Sequence, residues 1–316
     1  MIISLLLSIF TFVELNCENL FDFRNDSIKQ DEDFTPEGLY HWTPARYWKK
    51  VNHVGQEILS CGVRKDGSYA IPDLVALCEI ENDSVLFDLT RRSMLRNANY
   101  EYITTNSPDE RGINVGLLYS PFTFGYIKSY AIRVDRLKNM KPTRDILYVE
   151  GRTAEGDTLH VFVVHSPSRS GGEIETRPNR DVVTRKLTLS VDSIKNISPN
   201  ANIIVAGDFN DPCNGHSMKT MSDSGLINIS CDATGSNGAK GTYKYQGEWE
   251  SIDHIIVSNP LSKDAECFIN DAPFLIIKDE KYGGMQPFRN FQAIKWRNGF
   301  SDHLPLVAKL KFPTPN

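Results

Sequence analysis

With 316 residues, 40% of them apolar and 24% charged, the chain can bury a large core and need not be disordered. Its 35 Lys and Arg against 40 Asp and Glu leave a net charge of −5, the wrong sign for a protein that coats itself in nucleic acid, so any polyanion contact has to be local. The six cysteines (Cys17, Cys61, Cys78, Cys213, Cys231 and Cys267) include no C-x-x-C pair, which excludes a zinc knuckle or a dithiol redox site; buried thiols are the expectation and a disulfide stays open.

Met1 to Val13 is almost wholly apolar, yet a bilayer span needs about 20 such residues. The run also lacks a positive leading region and a small-residue cleavage site, and cleavage near Phe10 would cut into the first core strand. No integral membrane segment is expected, and the cytoplasm is the expected location, with export through a shortened leader as the alternative. Strand-length apolar, β-branched runs follow at Phe10–Cys17, Leu74–Ile80, Ile113–Tyr119, Leu159–His165, Asn202–Ala206, Ser251–Ser258 and Leu304–Phe312. Helical spacing marks Pro44–Leu59, Ser84–Leu95 and Arg180–Ile197. Strands and helices interleave, so the fold class is α/β. No break rich in Ser, Gly or Pro divides residues 1–316, which read as one domain, and the polar stretches Ser166–Asn179 and Asp232–Glu250 read as functional loops.

Polar residues recur where these strands end. The first run closes on Asn16-Cys17-Glu18-Asn19, and the second runs straight into Glu79. A carboxylate there loses hydration unless a cation or a hydrogen bond replaces it. Period-two alternation puts Glu79 and Glu81 on one face and Cys78 and Ile80 on the other; the plain alternative is that both glutamates face water. Val161–Val164 ends in His165, a side chain able to move a proton near neutrality, followed by Ser-Pro-Ser-Arg169; a lone histidine is more often a satisfied core residue. In Gly207-Asp208-Phe209-Asn210 the i, i+2 spacing sends a carboxylate and a carboxamide to one side, a pairing suited to activating water beside an oxyanion, whereas Asp211-Pro212 reads as a turn cap. Ile252-Asp253-His254 and Ser301-Asp302-His303 add two acids and an imidazole beside buried strands, and an Asp that fixes a His tautomer is a recurrent catalytic device.

In order, Leu15-Asn16-Cys17-Glu18-Asn19-Leu20-Phe21-Asp22, Cys78-Glu79, Arg111-Gly112-Ile113-Asn114-Val115, Val164-His165-Ser166-Pro167-Ser168-Arg169, Gly207-Asp208-Phe209-Asn210-Asp211, Ile252-Asp253-His254 and Ser301-Asp302-His303 resemble the endonuclease/exonuclease/phosphatase superfamily over residues 11–311. This DNase I-like group includes nucleases, abasic-site endonucleases, sphingomyelinases and inositol polyphosphate 5-phosphatases, and the set is closest to uncharacterised bacterial members, in which Thr242-Tyr243 is also familiar. The resemblance implies a four-layer α/β sandwich: two mixed β-sheets packed face to face, covered by helices, with the site at one end. It implies that Asn16 and Glu79 hold a divalent cation, Mg²⁺ with Mn²⁺ as the alternative, with Asp302 a further ligand and Glu18 an acid nearby. By the same carry-over Asp208 orients or deprotonates water, Asn210 holds it and a phosphoryl oxygen, Asp253 supports His303 in stabilising charge on phosphorus, and His165 contacts the phosphate or assists the leaving group.

Departures are Ser166, where relatives carry an aromatic, and the acidic partner expected for His165, for which Asp109 or Glu110 are the candidates. Arg111, Arg169 and Arg177 are expected on further phosphate oxygens, while Arg180 is expected in a surface ion pair. The implied function is a metal-dependent phosphoesterase on a phosphodiester, a nuclease foremost, acting as a monomer. The alternative is a phosphomonoesterase or phospholipid-headgroup diesterase, with Asn25–Thr43, Ser166–Arg180 and Lys278–Arg297 choosing the substrate. A silent binding scaffold is disfavoured because none of the core Asp, Asn or His residues is missing, and the aromatic-rich stretch Tyr282–Trp296 is either an interaction surface or a loop folded over the core.

Overall fold

The computed structural model describes residues 9–63 and 67–312, so the first eight residues of the apolar N-terminal run lie outside the described part. The strands in chain order are β1 (Phe10–Leu20), β2 (Leu74–Ile80), β3 (Glu101–Thr104), β4 (Asn114–Tyr119), β5 (Phe124–Ile132) and β6 (Ile146–Thr153). Then come β7 (Thr158–His165), β8 (Asn202–Asp208), β9 (Leu226–Asn228), the hairpin β10 (Tyr243–Tyr245) and β11 (Glu248–Glu250), and β12 (Asp253–Ser258). The last six are β13 (Glu266–Ile269), β14 (Ile276–Lys278), β15 (Met285–Pro287), β16 (Phe291–Gln292), β17 (Lys295–Trp296) and β18 (Leu306–Leu310). The α-helices are α1 (Pro44–Ser60), α2 (Asp83–Phe87), α3 (Glu173–Ile197), α4 (His216–Asp223) and α5 (Asn259–Ser262).

Two six-stranded mixed sheets form, in the orders β13-β18-β1-β2-β4-β3 and β5-β6-β7-β8-β12-β9. Each is built on one parallel pair, β1 with β2 and β7 with β8, joined through α1 and α3 respectively. Alternation along the strands decides the layers. Phe12, Leu74, Ala76 and Leu117 of one sheet meet Val149, Val161, Val163, Ile204 and Ile255 of the other in a central core. The opposite faces pack outward: Val13, Leu15, Val75 and Leu77 onto Val51, Val54 and Ile58 of α1, and Phe162, Val164, Ile203 and Val205 onto Val183, Leu187 and Val191 of α3. The result is the four-layer α/β sandwich that the motifs implied.

Local differences have physical causes. Between Ser84 and Leu95 the expected single helix is α2, a wide turn over residues 88–92 and a 3₁₀ turn that starts afresh after Ser93, whose hydroxyl accepts from Leu95 N. α3 begins at Glu173 and not at Arg180, with Pro178 inside it, so the expected loop ends sooner, at Gly172. Arg180 is no surface ion pair: it is 1% exposed and donates to Thr176 Oγ1 and to the Glu173 carbonyl oxygen, both at 2.9 Å. Cys213 and Cys231 form a disulfide, which takes oxidising surroundings to persist, whereas Cys17, Cys61 and Cys78 are buried thiols. Among the described residues no helix is long and apolar enough to cross a membrane.

Candidate active site

The C-terminal ends of the two parallel pairs lie at the same end of the sandwich. Asn16 stands near the end of β1, Glu79 near the end of β2, and His165 and Asp208 close β7 and β8, where they are register partners. β12 runs antiparallel to β8 and sets Asp253 opposite Asp208, and His303 precedes β18 beside β1.

Backbone irregularity at the strand ends turns these side chains inward. Glu79 has φ +62° and Asn210 φ +49°, in the left-handed region that costs a non-glycine residue free energy. The bulge at Glu79 corrects the alternation expected from sequence: Cys78 lies in the central core, while Ile80 lies in the outer core with Leu77, so they do not share a face. Gly207 (φ +144°) is required, because a Cβ there would come 1.8 Å from the Val164 carbonyl oxygen.

Asp208 is the hub. Its Oδ1 accepts from Asn210 N at 2.8 Å and its Oδ2 from Asn16 Nδ2 at 3.1 Å. His165 Nε2 lies 3.6 Å from Asp208 Oδ2 and 3.8 Å from Glu79 Oε1, while Glu79 Oε2 accepts from Asn19 N at 2.8 Å. Asp253 Oδ2 sits 2.7 Å from His303 Nδ1 and also accepts from the Thr242 hydroxyl. Donor atoms of Asp208, Asp253 and His303 all fall within 4.8 Å of one another, an acidic and imidazole cluster with the make-up of a metal site. Burial, then the Asp253 charge, pushes Asp208 up to about 7. Burial works to lower His303, but Asp253, Asp302 and Asp208 overcome it and hold the imidazole well above its ordinary value. His165 goes the other way: burial, with Arg144, Arg111 and His303, holds it well below.

Asn16, Glu79, His165, Asp208, Asn210, Asp253 and His303 therefore converge. Asp302 does not join them closely: it is half-buried outside the converging donor atoms, and its charge acts on Glu18, Tyr243 and His303. Neither Asp109 nor Glu110 partners His165; Asp109 binds Arg144 at 3.2 Å and Glu110 faces Lys141 at 3.4 Å. Both oxygens of Glu18 accept backbone N–H groups, from Asn290 (2.6 Å) and Phe291 (2.9 Å). Arg169 binds Glu250 through both terminal nitrogens, Arg111 lies 3.7 Å from Asp109, and Arg177 is half-buried on the first turns of α3.

Two contributors, Arg144 and Glu14, were not read from the sequence, and a third, Tyr243, was quoted there only within the motif resemblance and given no role. Arg144 is buried beneath the site and donates to the carbonyl oxygens of His165 (3.2 Å) and Ser166 (2.7 Å), fixing the end of β7. Tyr243 lays its ring 4.9 Å from that of His303. Glu14, buried on the central face two residues before Asn16, is pushed well up by burial and by Asp253 and Asp208. Arg144 sits in a polar segment without periodicity, and Glu14 occupies an otherwise apolar run, so only three-dimensional proximity marks them.

A sequence profile described as the Endonuclease/Exonuclease/phosphatase family matches residues 11–311. Among solved structures the fold is similar to an endonuclease/exonuclease/phosphatase family protein from Bacteroides thetaiotaomicron (14% identity, TM-score 0.60, covering 97% of this chain and 98% of that one). It is similar to TDP2 from C. elegans (15%, TM-score 0.61, 96% and 75%) and to the human Nocturnin catalytic domain with bound sulfate anion (17%, TM-score 0.58, 96% and 95%). Among curated proteins none matches the chain in sequence.

Proposed function

The chain belongs to the endonuclease/exonuclease/phosphatase family, and from that membership together with the site we propose that it is a Mg²⁺-dependent phosphodiesterase that cleaves nucleic acid. The observation that carries this reading is Asp208. Its buried carboxylate stands with those of Asp253 and Glu79 at one end of the sandwich, and only the His303 imidazole is held protonated among them, so the site carries an excess of negative charge. A divalent cation fits that excess. Glu79 Oε1 is too far from His165 Nε2 for a hydrogen bond, and Asn16 Oδ1, which accepts from Glu18 N at 3.0 Å, keeps a second lone pair. Hard oxygen donors suit Mg²⁺, or Mn²⁺ in its place. Glu79 and Asn16 would hold the ion, with Asp302 on the flank, and when bound it supplies neutralisation of a phosphoryl oxygen.

The chain's own groups do the rest. Asp208, oriented by Asn16 Nδ2 and Asn210 N, takes the proton of the attacking water. His303, kept protonated by Asp253, donates to the oxygen on which charge builds, and the Asn210 carboxamide aligns the same phosphoryl group. His165, kept neutral, offers Nε2 to the phosphate or the leaving group. Arg111, 3.7 Å from Asp109, and Arg169, bound to Glu250, would each release a carboxylate to take a neighbouring phosphate, while Arg177 lies half-buried on α3. The test is a panel of plasmid DNA, single-stranded oligonucleotide, RNA, inositol phosphates and sphingomyelin, each with Mg²⁺ and with EDTA. Cleavage of nucleic acid that EDTA abolishes is the expected result. Turnover in EDTA, or turnover of inositol phosphates or sphingomyelin alone, overturns the proposal.

A further inference from the structure

A cavity of about 290 Å³ opens beside the site, between the β10–β11 hairpin and residues 277–297, and the chemistry above leaves it unused. That volume is at the small end of ligand pockets, the space of one nucleotide. Five Lys or Arg side chains line it against two carboxylates, in a chain of net charge −5. The two carboxylates are already engaged: buried Lys244 pairs with Asp279 at 2.9 Å and pins the Gly283 and Met285 carbonyl oxygens, and Lys278 pairs with Glu280 at 3.6 Å. Arg289 and Arg297 have no ion pair among the described residues. Arg297 donates to Gln292 Oε1 at 2.8 Å, and the Arg289 charge acts on the Tyr243 hydroxyl. The surplus is a local positive field of the kind an anionic strand needs on an acidic protein.

Two aromatic faces accompany the charge. Tyr245 is 58% exposed and Tyr282 49%, and Lys281 lies 4.7 Å over the Tyr282 ring. Gly247, with φ +93°, permits the arrangement, since a Cβ there would come 2.8 Å from Tyr282 Cβ. Exposed rings among cations form a stacking platform for unpaired bases; an inositol ring has no flat face to stack on them, and a choline-type ammonium, which aromatic faces do bind, is repelled by the lysines and arginines of the lining.

The cavity is joined to the site by its walls. Tyr243, whose ring faces His303, precedes Lys244 in β10 and is bridged to His303 through the backbone. Arg289 lines the cavity and its charge acts on Tyr243, and the loop that carries it is held by Glu18, two residues beyond Asn16. Tyr243 thus stands between His303 and the cavity wall that carries Arg289. We infer that this cavity binds the unpaired nucleotide next to the scissile phosphate, Arg289 and Arg297 taking its phosphate and Tyr245 and Tyr282 its base, so that the substrate is a single strand. The inference rests on the phosphodiesterase reading and names its substrate class.

Arg297→Ala and Tyr245→Ala alter exposed side chains, and equal melting temperatures will show both variants folded. Two measurements are made: kcat/KM with Mg²⁺ on a single-stranded oligonucleotide and on bis(p-nitrophenyl) phosphate, and fluorescence anisotropy of a labelled, fully phosphorothioate oligonucleotide. Each variant should lower the oligonucleotide-to-diester ratio of kcat/KM about tenfold and raise the anisotropy Kd by a similar factor. Equal losses on both substrates, or an unchanged Kd, overturn the inference. So does displacement of the oligonucleotide by inositol hexakisphosphate whose own affinity depends on Arg297 but whose competitor is indifferent to Tyr245→Ala. A parent protein that cleaves neither substrate refutes the phosphodiesterase reading, and the anisotropy measurement still decides the cavity.

Discussion

Replacing Asp253 by Asn tests the couple that the site is built around. Asp253 Oδ2 lies 2.7 Å from His303 Nδ1, and its Oδ1 is buried without a hydrogen-bond partner, so the substitution removes a charge while leaving an acceptor for His303 and Thr242. A buried hydrogen bond to a charged group is worth about 1.5–3 kcal/mol, and one pKa unit corresponds to about 1.4 kcal/mol, so His303 should fall by roughly one to two units from its raised position. Asp253 also raises Asp208, so that group falls too. The sign is the same for both: Asp208 must be deprotonated and His303 protonated, and each now titrates at lower pH, so the acid and alkaline limbs of kcat/KM both move toward acid. Above the shifted alkaline limb the rate should drop about 10–100-fold, while near its new optimum the variant keeps much of its activity. The assay is the pH–rate profile on bis(p-nitrophenyl) phosphate at saturating Mg²⁺, with the His303 ring followed by NMR. A rate that falls by the same factor at every pH, with the His303 titration unmoved, refutes this account of the couple.

Asp208→Asn and His303→Ala should each lower Mg²⁺-dependent hydrolysis of bis(p-nitrophenyl) phosphate at least about a hundredfold, and unchanged turnover in either would remove that residue from the mechanism. Glu79→Gln should mainly raise the Mg²⁺ concentration for half-maximal activity; a titration superimposable on the parent's would count against ligation. Gly207→Ala forces a Cβ to within 1.8 Å of the Val164 carbonyl oxygen at a φ of +144°, so calorimetry should show a loss of about 3 kcal/mol or more, and an unaltered melting temperature would contradict the close approach of β7 and β8.

The apolar runs made the central strands legible because buried strands in a covered sheet are near-continuous hydrophobic segments. β2 runs from Leu74 to Ile80 as its sequence suggests, and β8 extends the expected run only through Asp208. β5 was not visible, since this edge strand buries only Phe124 and therefore carries no such run. The converging polar residues were legible because they sit on motif strings at the ends of those central strands. What stayed hidden was orientation. Nothing in Leu-Cys-Glu-Ile announces that Glu79 adopts φ +62° and flips the faces of its neighbours, and nothing in Asn16-Cys17-Glu18 says that Glu18 turns away to bind the amides of Asn290 and Phe291, some 270 positions on. The pairings of Arg144 with Asp109 and of Cys213 with Cys231, though closer in sequence, likewise depend on tertiary placement that local pattern does not encode.

Why the chemistry collects at this corner follows from the topology. A parallel pair brings two strand C-termini side by side, and packing two such pairs face to face brings four strand ends together over one core. Left-handed backbone at Glu18, Asn19, Glu79 and Asn210 then aims side chains that ordinary pleating would send to the helix layers or to solvent. Each such residue costs about 1–3 kcal/mol, a strain that only a core of this size can hold in place. The residues that restrain the strained ends, Arg144 under β7 and Glu18 within β1, are themselves buried polar groups that hydrogen-bond the backbone of the site's own loops. Because Glu18 fastens the loop of Arg289, the position of the second cationic wall is set by the same strand that presents Asn16. On the proposed reading β1 then sets the spacing between the reacting phosphate and its neighbour, so Glu18→Gln should lower kcat/KM on oligonucleotides more than on bis(p-nitrophenyl) phosphate, and equal losses on the two substrates would refute the coupling.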